Sequence, residues 1–159
     1  MYSKILVPLD SSELAEQALP HVVSNAVAHG AAVHLMQVID PADMTSPLLR
    51  HTLELIASVG EIDRTDAIEG WAAAAQDYLD SVAARLREDR VSDVTSNVVR
   101  GNPYELISDE ARAVGADLIV IASHGRSGFG RAVTGSVADH LIRETPDAAV
   151  LVVRPTASE

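Results

Sequence analysis

At 159 residues the chain is long enough to bury a full core and is read as one domain, 1–159. Apolar residues make up 47% of it and aromatics only 3%, so Ala, Val, Leu and Ile must build the core, as in layers of helix on sheet. Acidic residues outnumber basic ones 23 to 12, for a net charge of −11, and there is no cysteine; disulfides and thiolate metal sites are excluded, and a nucleic-acid partner, which needs a basic stripe, is not expected.

Lys4-Ile-Leu-Val-Pro-Leu9 reads as a short buried strand, stopped near Pro8, which has no N–H for a ladder. Asp10-Ser-Ser-Glu13 reads as a helix start, and Leu14, Ala18, Leu19, Val22, Val23 and Ala26 recur at helical spacing until Gly30. Ala32 to Ile39 is a second strand, closed by Asp40-Pro41. Residues 41–66 read as a variable loop or lid, with Thr45-Ser-Pro47 able to cap a short helix through about Ala57. A helix from about Ala67 places Trp71, Ala75, Tyr78, Leu79, Val82 and Leu86 on one face. Val91 to Arg100 follows as a third strand, with Val94, Ser96 and Val98 alternating.

Asn102-Pro103 caps the next helix, whose face is Leu106, Ile107, Ala111 and Val114 and whose end is Gly115. Leu118 to Ala122 is strand four, residues 134–144 a helix stopped before Pro146, and Ala148 to Val153 strand five; the tail from Pro155 frays. The order βαβαβαβαβ predicts a mostly parallel sheet with right-handed crossovers. No run approaches the roughly 18 apolar residues of a membrane span. Met1-Tyr-Ser-Lys4 runs at once into a strand, unlike a signal peptide, so a cytoplasmic location without a membrane partner is expected.

The stretch 117–136 organises the rest. A buried strand feeds a loop holding Gly125, Gly128, Gly130 and Gly135, and then a helix opening near Ser136. That arrangement gathers backbone N–H groups around an anion. From Leu118 to Ala138 the chain has Arg126 and Arg131 and no acidic residue, so this loop is locally positive in an acidic protein. The alternative is a plain surface turn with solvated arginines.

Other site chemistries fail on spacing. A Walker A loop needs Gly followed by Lys, and Lys4 is the only lysine. The dinucleotide fingerprint meets Val133 where a third small residue belongs, and the serine-hydrolase elbow meets Phe129 where its last glycine belongs. Ser123 and His124 are adjacent but have no third partner for nucleophilic catalysis, and the six histidines lack metal-ligand spacing. A phosphoryl-accepting receiver needs an Asp at the end of strand three, where Arg100-Gly101 stands.

Three segments taken together resemble the universal stress protein family (UspA-type): Ile5-Leu-Val-Pro-Leu-Asp-Ser-Ser12, Ser123-His-Gly-Arg-Ser-Gly128 with Thr134-Gly-Ser-Val137, and Val150-Leu-Val-Val-Arg-Pro155. The resemblance spans nearly the whole chain. It implies an α/β fold with an open five-stranded parallel sheet in order 3-2-1-4-5 and helices on both faces, the adenine nucleotide alpha hydrolase-like arrangement. It also implies a regulatory ATP-binding protein of the stress response rather than an enzyme. ATP, or AMP, would be the cofactor, with Mg2+ held mainly by the phosphates and no dedicated metal ligands. The partner would be a second copy, joined through the last strand, Val150-Val153.

By the same resemblance Pro8, Leu9 and Asp10 lie beside adenine and ribose, and Val38 stacks near the base. Ala122, His124, Gly125 and Gly128 approach ribose and phosphates, Arg126 and Arg131 add charge, and Gly135, Ser136 and Val137 bind the outer phosphates. Asp10 has a simpler alternative role as a helix cap. ATP-binding members carry Gly-x2-Gly-x9-Gly-Ser/Thr. Gly125 and Gly135-Ser136 match, but the first glycine falls at Ala122. Alanine adds a methyl there and disfavours positive φ, a departure that bears on nucleotide affinity and not on fold. A module of the same fold that binds no nucleotide is therefore the rival reading.

Overall fold

The computed structural model describes residues 1–40, 64–123 and 136–154, with the backbone alone for 64–68 and 136. Its elements are β1 Lys4–Leu9, α1 Glu13–Glu16, α2 Leu19–His29, β2 Ala32–Ile39, α3 Arg64–Glu88, β3 Val94–Arg100, α4 Pro103–Val114, β4 Leu118–Ala122, α5 Ser136–Glu144 and β5 Ala149–Val153. The sheet runs β3-β2-β1-β4-β5 and every recorded pairing is parallel, as the resemblance implied.

Both faces of the sheet are covered, which is why β1 and β4 read as unbroken apolar runs. Ile5, Val7, Val33, Leu35 and Val120 face one way, packed with Val22 of α2 and Leu79, Val82 and Leu86 of α3. Leu6, Met36, Ile119 and Ile121 face the other way, against Ile107 and Ala111 of α4 and Ala138 and Leu141 of α5. At the lower end, Asp117 accepts from the amides of Ser3 (2.8 Å) and Lys4 (3.0 Å), tying the start of β1 to β4. Burial raises the Asp117 carboxyl, but hydrogen bonds from the Ser3 hydroxyl and these amides outweigh it and leave it below the ordinary Asp value.

Apart from β5, which opens one residue later at Ala149, four boundaries differ from the sequence reading, each for a local reason. The single helix expected from Asp10 to Gly30 is two, α1 and α2. Pro20 has no N–H for the Glu16 carbonyl, so α1 closes with short-range bonds, Gln17 N–H to Leu14 O (3.0 Å) and Ala18 N–H to Ala15 O (3.1 Å). Pro20 then sits in the first turn of α2, where no N–H is needed. Strand β1 continues through Pro8 to Leu9, because β1 pairs with β4 at Ile5 and Leu6 and the missing N–H falls beyond that stretch.

Strand β3 begins at Val94 rather than Val91. Arg90 is left-handed (φ 71), its N–H reaches Arg87 O, and the Val91 N–H reaches Leu86 O, which makes Val91 the buried plug of the α3 terminus. Finally, α3 starts at Arg64, inside the stretch read as loop. The short helix expected after Thr45 and the tail from Pro155 lie outside the described residues.

Candidate functional site

In a parallel sheet of this order, successive crossovers leave β1 towards opposite sides, so a gap opens beyond the carboxyl ends of β1 and β4. A cleft of about 320 Å³ occupies it. Pro8, Leu9 and Asp10 come from the end of β1, Val38 and Asp40 from β2, and Ile121, Ala122 and Ser123 from β4. Leu14 and Ala15 of α1, Pro103 and Ile107 of α4, and Val137 and Ala138 of α5 close the sides. A second hollow of about 360 Å³ shares Asp10, Val38 and Asp40 and reaches Trp71 on α3.

The turn after β1 is built by its own hydroxyls. Ser12 caps α1, accepting from Ala15 N–H at 3.1 Å, so the cap role considered for Asp10 belongs to Ser12. Asp10 Oδ1 instead accepts from the Ser12 amide (3.0 Å) and the Ser12 hydroxyl (2.5 Å), and no bond among the described residues uses Oδ2. Ser11 takes a left-handed conformation (φ 64) and donates its hydroxyl to Gln37 Oε1 at 3.1 Å, pinning the turn to β2. A non-glycine residue held there costs on the order of 1–3 kcal/mol, and such strain clusters at sites where geometry matters.

Helix α5 also opens at this cleft. Its first-turn residues Val137 and Ala138 line the cleft, and the amides of a first helical turn have no partner within the helix. They concentrate partial positive charge there. The cleft is thus lined by apolar side chains, by the Asp10 and Asp40 carboxylates and by the first turn of α5. Such a space suits a ligand with a flat neutral part and an anionic tail.

Of the residues named from the sequence, Pro8, Leu9, Asp10, Val38, Ala122 and Val137 line this one cleft. Ser136 is the first residue of α5. His124, Gly125, Arg126, Gly128, Arg131 and Gly135 lie outside the described residues. Ala122 ends β4, and among the described residues only Ser11 and Arg90 combine a side chain with positive φ, so the alanine imposes no backbone strain. Sequence reasoning missed Leu14, Ala15, Asp40, Pro103, Ile107, Ile121, Ser123 and Ala138. Asp40 and Pro103 had a signal, since each lies within a few residues of a strand's carboxyl end; Leu14 and Ile107 read only as core-facing helix positions, and Ala15 carried no signal. Among the described residues no cluster of three His, Asp or Glu is placed to hold a metal, and no helix is long and apolar enough to cross a membrane.

Comparison with known proteins places the chain. The model of the universal stress protein family matches residues 1–154. Universal stress protein MJ0577 of Methanocaldococcus jannaschii is 32% identical over 97% of this chain and 96% of its own length. Its solved structure matches with a TM-score of 0.75 at 29% identity, over 99% of both chains. UspA from Lactobacillus plantarum matches with a TM-score of 0.74 at 26% identity, over 96% of this chain and 98% of its own. A universal stress protein solved in complex with cAMP shares the fold at 20% identity, with a TM-score of 0.67 over 96% of this chain and 97% of its own. The chain belongs to the universal stress protein family.

Proposed function

We propose that this protein binds an adenine nucleotide, ATP, in the cleft beyond β1 and β4, as the regulatory ligand of a homodimer acting in a stress response. One observation carries the reading: six residues from β1, β2, β4 and α5 named for nucleotide contact line a single cleft onto which a helix N-terminus opens. Pro8, Leu9 and Val38 flank the base, Asp10 takes the ribose hydroxyls, and the α5 amides with the preceding glycine loop take the phosphates. The cAMP complex of a protein with this fold supports the ligand class.

Magnesium would be held mainly by the phosphates, because the described lining offers only Asp10 and Asp40 and no closed cage. A regulatory role fits better than catalysis. Asp10 Oδ1 is engaged by Ser12 and Oδ2 goes to the ribose in this reading, whereas a hydrolase needs a base aimed at an attacking water.

The two sheet edges differ, which supports pairing through β5. Strand β3 carries Thr95, Ser96, Asn97 and Arg100 among its valines, whereas β5 is Ala-Val-Leu-Val-Val throughout. An apolar edge strand needs a partner or a cover. Mass spectrometry of the purified protein under non-denaturing conditions tests both parts together. The expected species is a dimer with one nucleotide per chain, and a nucleotide-free monomer in the presence of ATP contradicts the reading. The rival, an interaction module that takes no nucleotide, predicts a dimer that stays empty.

A further inference from the structure

Helix α1 is a single turn set between the cleft and α3. Its Leu14 and Ala15 line the cleft, while its last residue, Glu16, accepts a hydrogen bond from Arg85 Nη2 of α3 at 2.8 Å. The Tyr78 hydroxyl, two turns of α3 earlier, is buried beside the Glu16 carboxylate. Both flanks of α1 are free of regular helix: the left-handed Ser11 precedes it, and the Gln17–Ala18 turn before Pro20 follows. Hydrogen bonds run through it without a gap. Glu16 N–H donates to Ser12 O (3.2 Å), and the Ser12 amide and hydroxyl donate to Asp10 Oδ1.

We propose that Glu16, gripped from α3 by Arg85, is a positioning residue for the cleft, fixing through α1 and Ser12 the place of the Asp10 carboxylate. The inference rests on the nucleotide reading of that cleft. The Arg85 hydrogen bond holds the Glu16 carboxyl below its ordinary value against the opposing effect of burial, so the pair stays charged at neutral pH. Its side chains are 51% and 30% exposed, and pairs that open contribute little to global stability. The effect of the pair is therefore local, on the turn that carries Asp10.

The sign of the effect separates positioning from simple charge. Removing a negative charge from a protein of net charge −11 tightens binding of an anion by Coulomb attraction alone. Loss of positioning weakens it. ATP titration by calorimetry on wild type, Glu16→Gln, Arg85→Met and the swapped pair Glu16→Arg with Arg85→Glu measures the outcome, beside hydrogen exchange over residues 11–18 without nucleotide. Glu16→Gln is expected to weaken ATP binding about fivefold, the upper range for such a pair. Its melting temperature should stay unchanged, its α1 exchange should quicken, and the swap should restore affinity. Wild type that takes up no ATP overturns the nucleotide reading and this inference with it. ATP uptake that Glu16→Gln leaves equal or tighter overturns the positioning role alone.

Discussion

His34 Nε2 and Glu110 Oε1 lie 2.9 Å apart, joining β2 to α4 beneath the sheet edge. His34 is 7% exposed, its Nδ1 meets the Thr95 hydroxyl at 2.7 Å, and Asn97 donates to the same Glu110 oxygen at 3.1 Å. Four polar side chains on β2, β3 and α4 thus satisfy one another in a largely apolar layer, and α4 brings Pro103 and Ile107 to the cleft wall. Glu110→Ala removes an acceptor that both His34 and Asn97 use. The expected loss is about 1.5–3 kcal/mol of unfolding free energy, read from urea denaturation with an unchanged slope. A loss under about 0.5 kcal/mol would show the network to be solvated.

Acid should destabilise the protein through Asp117. Its carboxyl lies below the ordinary Asp value of 3.8 in the folded state, so the folded protein binds fewer protons than the unfolded chain near that pH. The stabilisation is complete above the unfolded value and is lost as pH falls through the folded one. Unfolding free energy measured from pH 6 down to about pH 3 should therefore drop, and Asp117→Asn should flatten the drop. Equal slopes in the two proteins would show that Ser3 and Lys4 do not hold the carboxylate.

Arg90→Gly should stabilise the protein. Arg90 sits at φ 71 in the turn that ends α3, where a Cβ is strained and glycine is not. Allowing for the extra freedom of glycine in the unfolded chain, the net gain is about 0.5–1 kcal/mol, visible as a higher melting temperature. A lower melting temperature would mean that Arg90 makes contacts worth more than its backbone strain.

Ala122→Gly tests the departure from the glycine motif. Because Ala122 ends β4 without positive φ, the methyl is not expected to hinder a ligand by backbone strain. ATP affinity should change less than about threefold, while stability falls by about 0.5–1 kcal/mol from glycine in a strand. A tenfold gain in affinity would identify the methyl as an obstacle at the cleft floor.

The parts legible in the sequence are those where one physical cause dominates. Ile5 to Leu9 and Leu118 to Ala122 are buried on both faces, so they stand out as apolar runs. Gly30 and Gly115 end α2 and α4 in the left-handed conformation, as their positions after periodic helices predict. The α1–α2 break was hidden because Leu14, Ala18, Leu19 and Val22 keep helical spacing across it, although Pro20 marks it. Val91 looked like strand because a buried valine plugging a helix end and one opening a strand have the same local pattern.

Sheet order came from resemblance, since periodicity says which residues are buried and not which strands are neighbours. For the same reason the walls supplied by α1 and α4 were missed. Leu14, Ala15 and Ile107 meet the cleft through tertiary packing of segments far apart in sequence. The contacts expected of Gly125, Arg126, Arg131 and Gly135 belong to residues outside the described part of the chain.

Thermal unfolding with and without ATP and magnesium tests the central claim most directly. If the cleft beyond β1 and β4 takes one nucleotide, ATP at 100 times its dissociation constant adds about 2.7 kcal/mol and raises the melting temperature by several degrees. Val38→Asp, which puts a carboxylate into the lining of that cleft, should remove most of that shift. A melting temperature that millimolar ATP leaves unmoved in the wild type would contradict the account.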